Sequence, residues 1–84
     1  MTVRVRLFAA LREAVGCDTL DLPMQDGLDI AGVISVIGAR FGGRAVAAIS
    51  AANVRVAVNR EFVDGPRRLR DGDEIAFMPP ITGG

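Results

Sequence analysis

Asp29-Ile30-Ala31-Gly32-Val33-Ile34-Ser35-Val36-Ile37-Gly38-Ala39-Arg40-Phe41-Gly42-Gly43 is the stretch on which the fold turns. Ile30, Val33, Ile34, Ile37 and Phe41 recur at the spacing of one face of an α-helix. Asp29 stands where an N-cap belongs, because its carboxylate can accept a hydrogen bond from an unpaired N–H of the first turn. Gly42 and Gly43 supply the stop. Gly32 and Gly38 weaken such a helix by up to ~1 kcal/mol each relative to alanine, so they mark either close packing or simple tolerance. Residues 44–51 are alanine-rich and read as a short second helix or a helical loop.

Outward from this helix the pattern changes to period two. Towards the N-terminus, Val3, Val5 and Leu7 fall on one face of a strand, with Thr2, Arg4, Arg6 and Phe8 on the other. Ala9 to Val15 is a short run of helix formers closed by Gly16. Asp18 to Leu22 alternates again, with Leu20 and Leu22 inward, and Pro23 stops it. Towards the C-terminus, Val54, Val56 and Val58 are the inward residues of a third strand. Asn59-Arg60 is a two-residue turn, since asparagine tolerates positive φ, and Glu61 to Val63 is the return strand. Asp64-Gly65-Pro66 and Asp71-Gly72-Asp73 are turn signals. Glu74 to Met78 is the last strand, with Ile75 and Phe77 inward. A helix crossing one face of a mixed sheet of about five strands is an α+β roll. Its first and last strands can lie side by side at the centre, the β-grasp arrangement, which leaves the other sheet face uncovered.

Composition removes most chemistries. The 84 residues form one small domain with a thin core, half hydrophobic and 24% charged. Ten arginines balance ten acids, so the net charge is zero and electrostatic binding of nucleic acid is not expected. Without histidine there is no Ser-His-Asp or Cys-His arrangement and no imidazole metal ligand. Without lysine there is no Walker A loop and no Schiff base. Cys17 stands alone, so no disulfide forms within the chain and a reducing cytoplasm is the simplest setting. It reads as a structural or incidental cysteine rather than a reactive thiol. Uncharged stretches such as Ile30 to Ala39 are too short to span a bilayer, and Arg4, Arg6, Arg12 and Glu13 break up any signal peptide.

The remaining candidates differ in weight. Arg60, Arg67, Arg68 and Arg70 are interleaved with Glu61, Asp64, Asp71 and Asp73, the pattern of a solvated mixed-charge surface rather than of a phosphate site. The acids sit at turns, where aspartate is expected on backbone grounds, so no metal site is read from them. Gly42-Gly43 follows a helix and lacks the spacing of a dinucleotide fingerprint. The ending is different. Two terminal glycines arise by chance in about one chain in two hundred. Pro79 and Pro80 stiffen the exit from the last strand and push it away from the sheet. Gly83 and Gly84 then present a slender end without Cβ atoms, able to thread a tunnel and bring a backbone carboxylate into another protein's active site. Residues 1–78 are therefore read as the β-grasp domain and 79–84 as an extended tail.

Asp71-Gly72-Asp73-Glu74-Ile75-Ala76-Phe77-Met78-Pro79-Pro80-Ile81-Thr82-Gly83-Gly84 closely resembles the C-terminus of the small subunits of molybdopterin synthase, the MoaD-like sulfur carriers. Val5 to Glu13 with Gly16, and Ala57-Val58-Asn59-Arg60-Glu61-Phe62-Val63, are similar to the same family. The resemblance covers nearly the whole chain in the same order. The main departure is Met78, where the family often has an aromatic residue.

The resemblance implies a ubiquitin-like β-grasp that carries sulfur in molybdenum cofactor biosynthesis. A partner enzyme holding ATP and Mg²⁺ adenylates the carboxylate of Gly84, and a sulfurtransferase supplies the sulfur that makes it a thiocarboxylate. The tail, with Ile81, Thr82 and Gly83 as contacts, enters the large subunit of molybdopterin synthase in a heterotetramer. There it donates sulfur to cyclic pyranopterin monophosphate. The carrier itself needs no cofactor, and the catalytic side chains are expected on the large subunit. Strand parity places Phe8 and Met78 on the uncovered sheet face, with Phe62 beside them, and matching positions in the family dock partners. The pattern leaves open a sulfur carrier for thiamine or cysteine synthesis, or a ubiquitin-like protein modifier. Thiamine carriers look shorter and usually lack the proline-proline-threonine ending. Without lysine the chain cannot extend a lysine-linked polymer of itself.

Overall fold

The computed structural model describes residues 1–79. The elements are β1 (Thr2–Leu7), α1 (Ala10–Val15), β2 (Thr19–Pro23), α2 (Ile30–Phe41), α3 (Gly43–Ile49), β3 (Arg55–Val58), β4 (Glu61–Val63) and β5 (Glu74–Met78). They form one five-stranded sheet in the order β2-β1-β5-β3-β4. The first and last strands pair in parallel at its centre, Val5 opposite Ile75, and the other pairings are antiparallel. This is the β-grasp arrangement expected from the alternation of apolar residues.

Local chemistry fixes the joints. The Asp29 side chain accepts a hydrogen bond from the backbone N–H of Gly32 at 2.8 Å, which caps α2. Gly16 ends α1 with φ 99°, a conformation that costs a residue without Cβ nothing. Asn59 and Arg60 have φ of 51° and 70°, as a tight I′ hairpin turn requires. The Asn59 side chain also ties that turn to the start of β5. Its Nδ2 donates to Asp73 at 2.9 Å, and its Oδ1 accepts from the backbone N–H of Glu74 at 3.0 Å.

The core lies on one side of the sheet only. Val3, Val5, Leu7, Leu22, Val58, Ile75 and Phe77 from the strands meet Leu11, Val15, Val33, Ile37, Ala45 and Ile49 from the helices. Each valine, leucine, isoleucine or phenylalanine side chain among them contributes about 1.5–3 kcal/mol on complete burial. Gly38 proves to be a point of close packing: a Cβ there would lie 2.6 Å from Cγ2 of Val46, so α3 rests directly on the α2 backbone. One member of the expected apolar face departs from it. Phe41, the last residue of α2, is 38% exposed. The chain turns into α3 immediately after it, and the Arg40 guanidinium lies over its ring, 5.8 Å from the centroid.

Candidate functional site

The sheet face without helices is built from the alternate residues of the same strands. Register aligns Arg6 of β1 with Ala76 of β5, Ala76 with Ala57 of β3, and Ala57 with Phe62 of β4. Two alanines thus stand side by side in the middle of the row, with larger residues around them. The result is a shallow groove of about 250 Å³ lined by Phe8, Phe62 and Met78 over Ala57 and Ala76, with Arg6, Arg60 and Glu74 at its edge. Ala57 is 4% exposed, although it belongs to no part of the helix-side core, because its neighbours overhang it. Phe62 is 60% exposed and Phe8 37%.

The three apolar residues singled out from parity therefore line one groove. Phe8 is held at its lip by the turn that follows β1: its N–H donates to the Phe77 carbonyl at 3.4 Å and its carbonyl accepts from Leu11 at 3.1 Å. Ala9 makes that turn with φ 53°, which costs a non-glycine residue about 1–3 kcal/mol. The alanine floor was not singled out from the sequence. Its signal was present, since Ala57 and Ala76 are small residues at the outward positions between Val56 and Val58 and between Ile75 and Phe77.

Charge surrounds the groove unevenly. Arg4 Nε donates to Asp21 at 3.1 Å, and this hydrogen bond, with the Asp21 charge, raises the Arg4 guanidinium pKa above its ordinary value. Arg6 lies 4.0 Å from Glu74 and its guanidinium carbon 5.0 Å from the Phe8 ring centroid. Arg55 lies over the Phe62 ring at 4.3 Å. Arg60 lines this groove, whereas Arg67, Arg68 and Arg70 do not. Those three line a larger cavity of about 740 Å³ together with Asp26 and Asp73. There the Asp73 carboxylate is already occupied, by Asn59 and by the backbone N–H of Arg70 at 2.7 Å.

Cys17 is half-buried against the core and is not among the groove residues. Among the described residues no three His, Cys, Asp or Glu side chains converge as a metal site would require, and no helix is long and apolar enough to cross a membrane. Pro79 directly follows Met78, so the chain leaves the sheet from its central strand beside the groove. Pro80, Ile81, Thr82, Gly83 and Gly84 lie outside the described residues.

A model of the ThiS family matches residues 5–84. The molybdopterin synthase sulfur carrier subunit of Haemophilus influenzae is 33% identical over 82 residues, which cover 98% of this chain and 99% of that protein. Small archaeal modifier protein 3 of Haloferax volcanii is 33% identical over the full length of both. Among solved structures, small archaeal modifier protein 1 of Methanosarcina acetivorans superposes with a TM-score of 0.79 at 26% identity, covering 99% of this chain and 96% of that one. A complex of subunits 1 and 2 of the molybdopterin-converting factor of Helicobacter pylori matches the fold with a TM-score of 0.69 at 24% identity, covering 100% of both chains.

Proposed function

This chain belongs to the ThiS family, and on that premise we propose that it carries sulfur as a thiocarboxylate on Gly84 for the synthesis of molybdopterin. The observation that carries the reading is one of placement. A chain without histidine or lysine puts an apolar groove on the last strand, immediately ahead of Pro79-Pro80-Ile81-Thr82-Gly83-Gly84. Such a molecule docks and delivers, and the reaction takes place on its partner.

The chemistry suits a carboxylate terminus. A carboxylate is a poor acyl donor because its leaving group would be oxide. Attack on the α-phosphorus of ATP gives an acyl adenylate and pyrophosphate. Hydrosulfide, released from a sulfurtransferase persulfide by a thiol reductant, then displaces AMP and leaves Gly84 as a thiocarboxylate. That sulfur is a nucleophile held covalently and kept from diffusing. Inside the large subunit it would attack cyclic pyranopterin monophosphate, with the acid, base and electrostatic groups supplied by that subunit. Two such transfers build the dithiolene. The groove lined by Phe8, Phe62 and Met78 would seat the large subunit and, in turn, the adenylating enzyme. A reducing cytoplasm is the setting that a free Cys17 favours.

Intact-mass analysis tests this directly. With an adenylating enzyme, ATP and a sulfur source, one oxygen of Gly84 should be replaced by sulfur. Deleting Gly84, or adding a residue after it, should abolish transfer without changing the melting temperature. Normal transfer by an untrimmed, extended chain would refute the proposal. The likeness to small archaeal modifier protein 3 supports a second reading, in which the activated Gly84 is joined to a lysine amine of another protein. An isopeptide-linked product, rather than sulfur on a pterin, would identify that case.

A further inference from the structure

The groove carries information about what fits it. Its two aromatic walls are each overlaid by a guanidinium, Phe8 by Arg6 and Phe62 by Arg55, and Arg60 stands at the edge. The one acid in the lining, Glu74, lies 4.0 Å from Arg6. Among the described residues no carboxylate lies within 4.0 Å of Arg55 or Arg60. The chain as a whole is neutral, so this rim is a local excess of positive charge rather than a reflection of composition.

In the free protein these guanidiniums are solvated and cost nothing. A partner that fills this groove meets Arg60, which lines it, and a partner that packs on Phe62 meets Arg55, which lies on that ring. A guanidinium taken out of water without a counter-charge opposes binding strongly. We propose that the groove selects a protein partner whose contacting surface presents an apolar side chain ringed by carboxylates, two of them placed against Arg55 and Arg60. This rests on the reading above that the groove is the dock for the large subunit. It adds that Arg55 and Arg60 determine which surface is accepted and how fast it is found, since complementary charge steers encounter and suppresses wrong partners.

The test uses the full chain and the molybdopterin synthase large subunit of the same organism. Association rate and affinity are measured in salt from about 0.05 M to 0.5 M, a range that shortens the screening length several-fold. For the wild type, association should slow by about tenfold or more across that range. The paired reversal Arg55→Glu with Arg60→Glu should slow association by about tenfold or more at low salt, and the deficit should shrink as salt rises. Arg55→Gln with Arg60→Gln should fall between, and Arg44→Glu, remote from the groove lining, should match wild type. Melting temperatures of all variants should agree. Salt-independent binding, with reversal variants equal to wild type while Phe62→Ala binds poorly, would overturn the acidic rim and leave the dock standing. Undiminished binding of Phe62→Ala would overturn the dock and the rim together. A self-association of the chain that the reversal disperses would assign the rim to a second copy and overturn the proposal.

Discussion

Ile75 and Phe77 are fully buried, whereas Ala76 and Met78, their neighbours along the same strand, look onto a groove open to water. The alternation of a strand thus divides β5 between two tasks. One set of residues fastens the sheet to its helices, and the other lines the open groove that we propose as the dock. Because the two sets share a backbone but not an environment, damage to one should leave the other intact.

The largest effect should follow from charging the helix side. Ile75→Arg or Val5→Arg would bury an unpaired cation at a cost comparable with the whole stability of a small domain, about 5–15 kcal/mol, and the chain should not fold. Far-UV circular dichroism with thermal melts reads this, and a cooperative native-like transition in either variant would break the division. The same substitution on the open face should act elsewhere. Phe62→Arg or Phe8→Arg should weaken binding of the large subunit by about 2–4 kcal/mol, while stability of the free chain moves by about 1 kcal/mol or less. Calorimetric titration beside melts of each variant separates the two quantities. If Met78→Arg unfolds the free chain, the open face is less independent of the core than its register suggests. The smallest effect is expected at Cys17, which packs against the core and has no part in the groove. Cys17→Ser should transfer sulfur within about tenfold of wild type, roughly 1.4 kcal/mol in barrier. A larger loss in single-turnover transfer, at an unchanged melting temperature, would make the thiol part of the sulfur path.

The amino-acid sequence discloses by itself whatever is local. The alternation of Val3, Val5 and Leu7, the Asp29 cap and the Asn59-Arg60 turn each depend on a few consecutive residues, and each is found in the structure. What could not be read depends on distant segments meeting. Parity says that Ala57 and Ala76 point outward, but only the pairing of β3 with β5 sets them side by side as a floor. Arg60 looks like one of four clustered arginines in the sequence, but in the fold it lines the open-face groove whereas Arg67, Arg68 and Arg70 line another cavity. Phe41 keeps the helical spacing, yet the chain turns away at Gly42 before the core can enclose its ring. Gly38 is ambiguous in the sequence because its reason, Val46, lies on another helix. The terminal glycines were legible by residue type and resemblance alone, since Gly83 and Gly84 lie outside the described residues.

The parallel pairing of β1 with β5 has a consequence for how the molecule comes into being. Arg4 through Leu7 find their central neighbours only in Glu74 through Phe77, nearly at the opposite end of the sequence. A nascent chain that has not yet exposed Glu74 to Phe77 can pair β1 with β2 and form the helices, but the β1 edge that β5 will cover stays open. Contacts of such long sequence separation form slowly. The interval during synthesis when β1 waits for β5 is therefore when this protein is most exposed to aggregation and to chaperones.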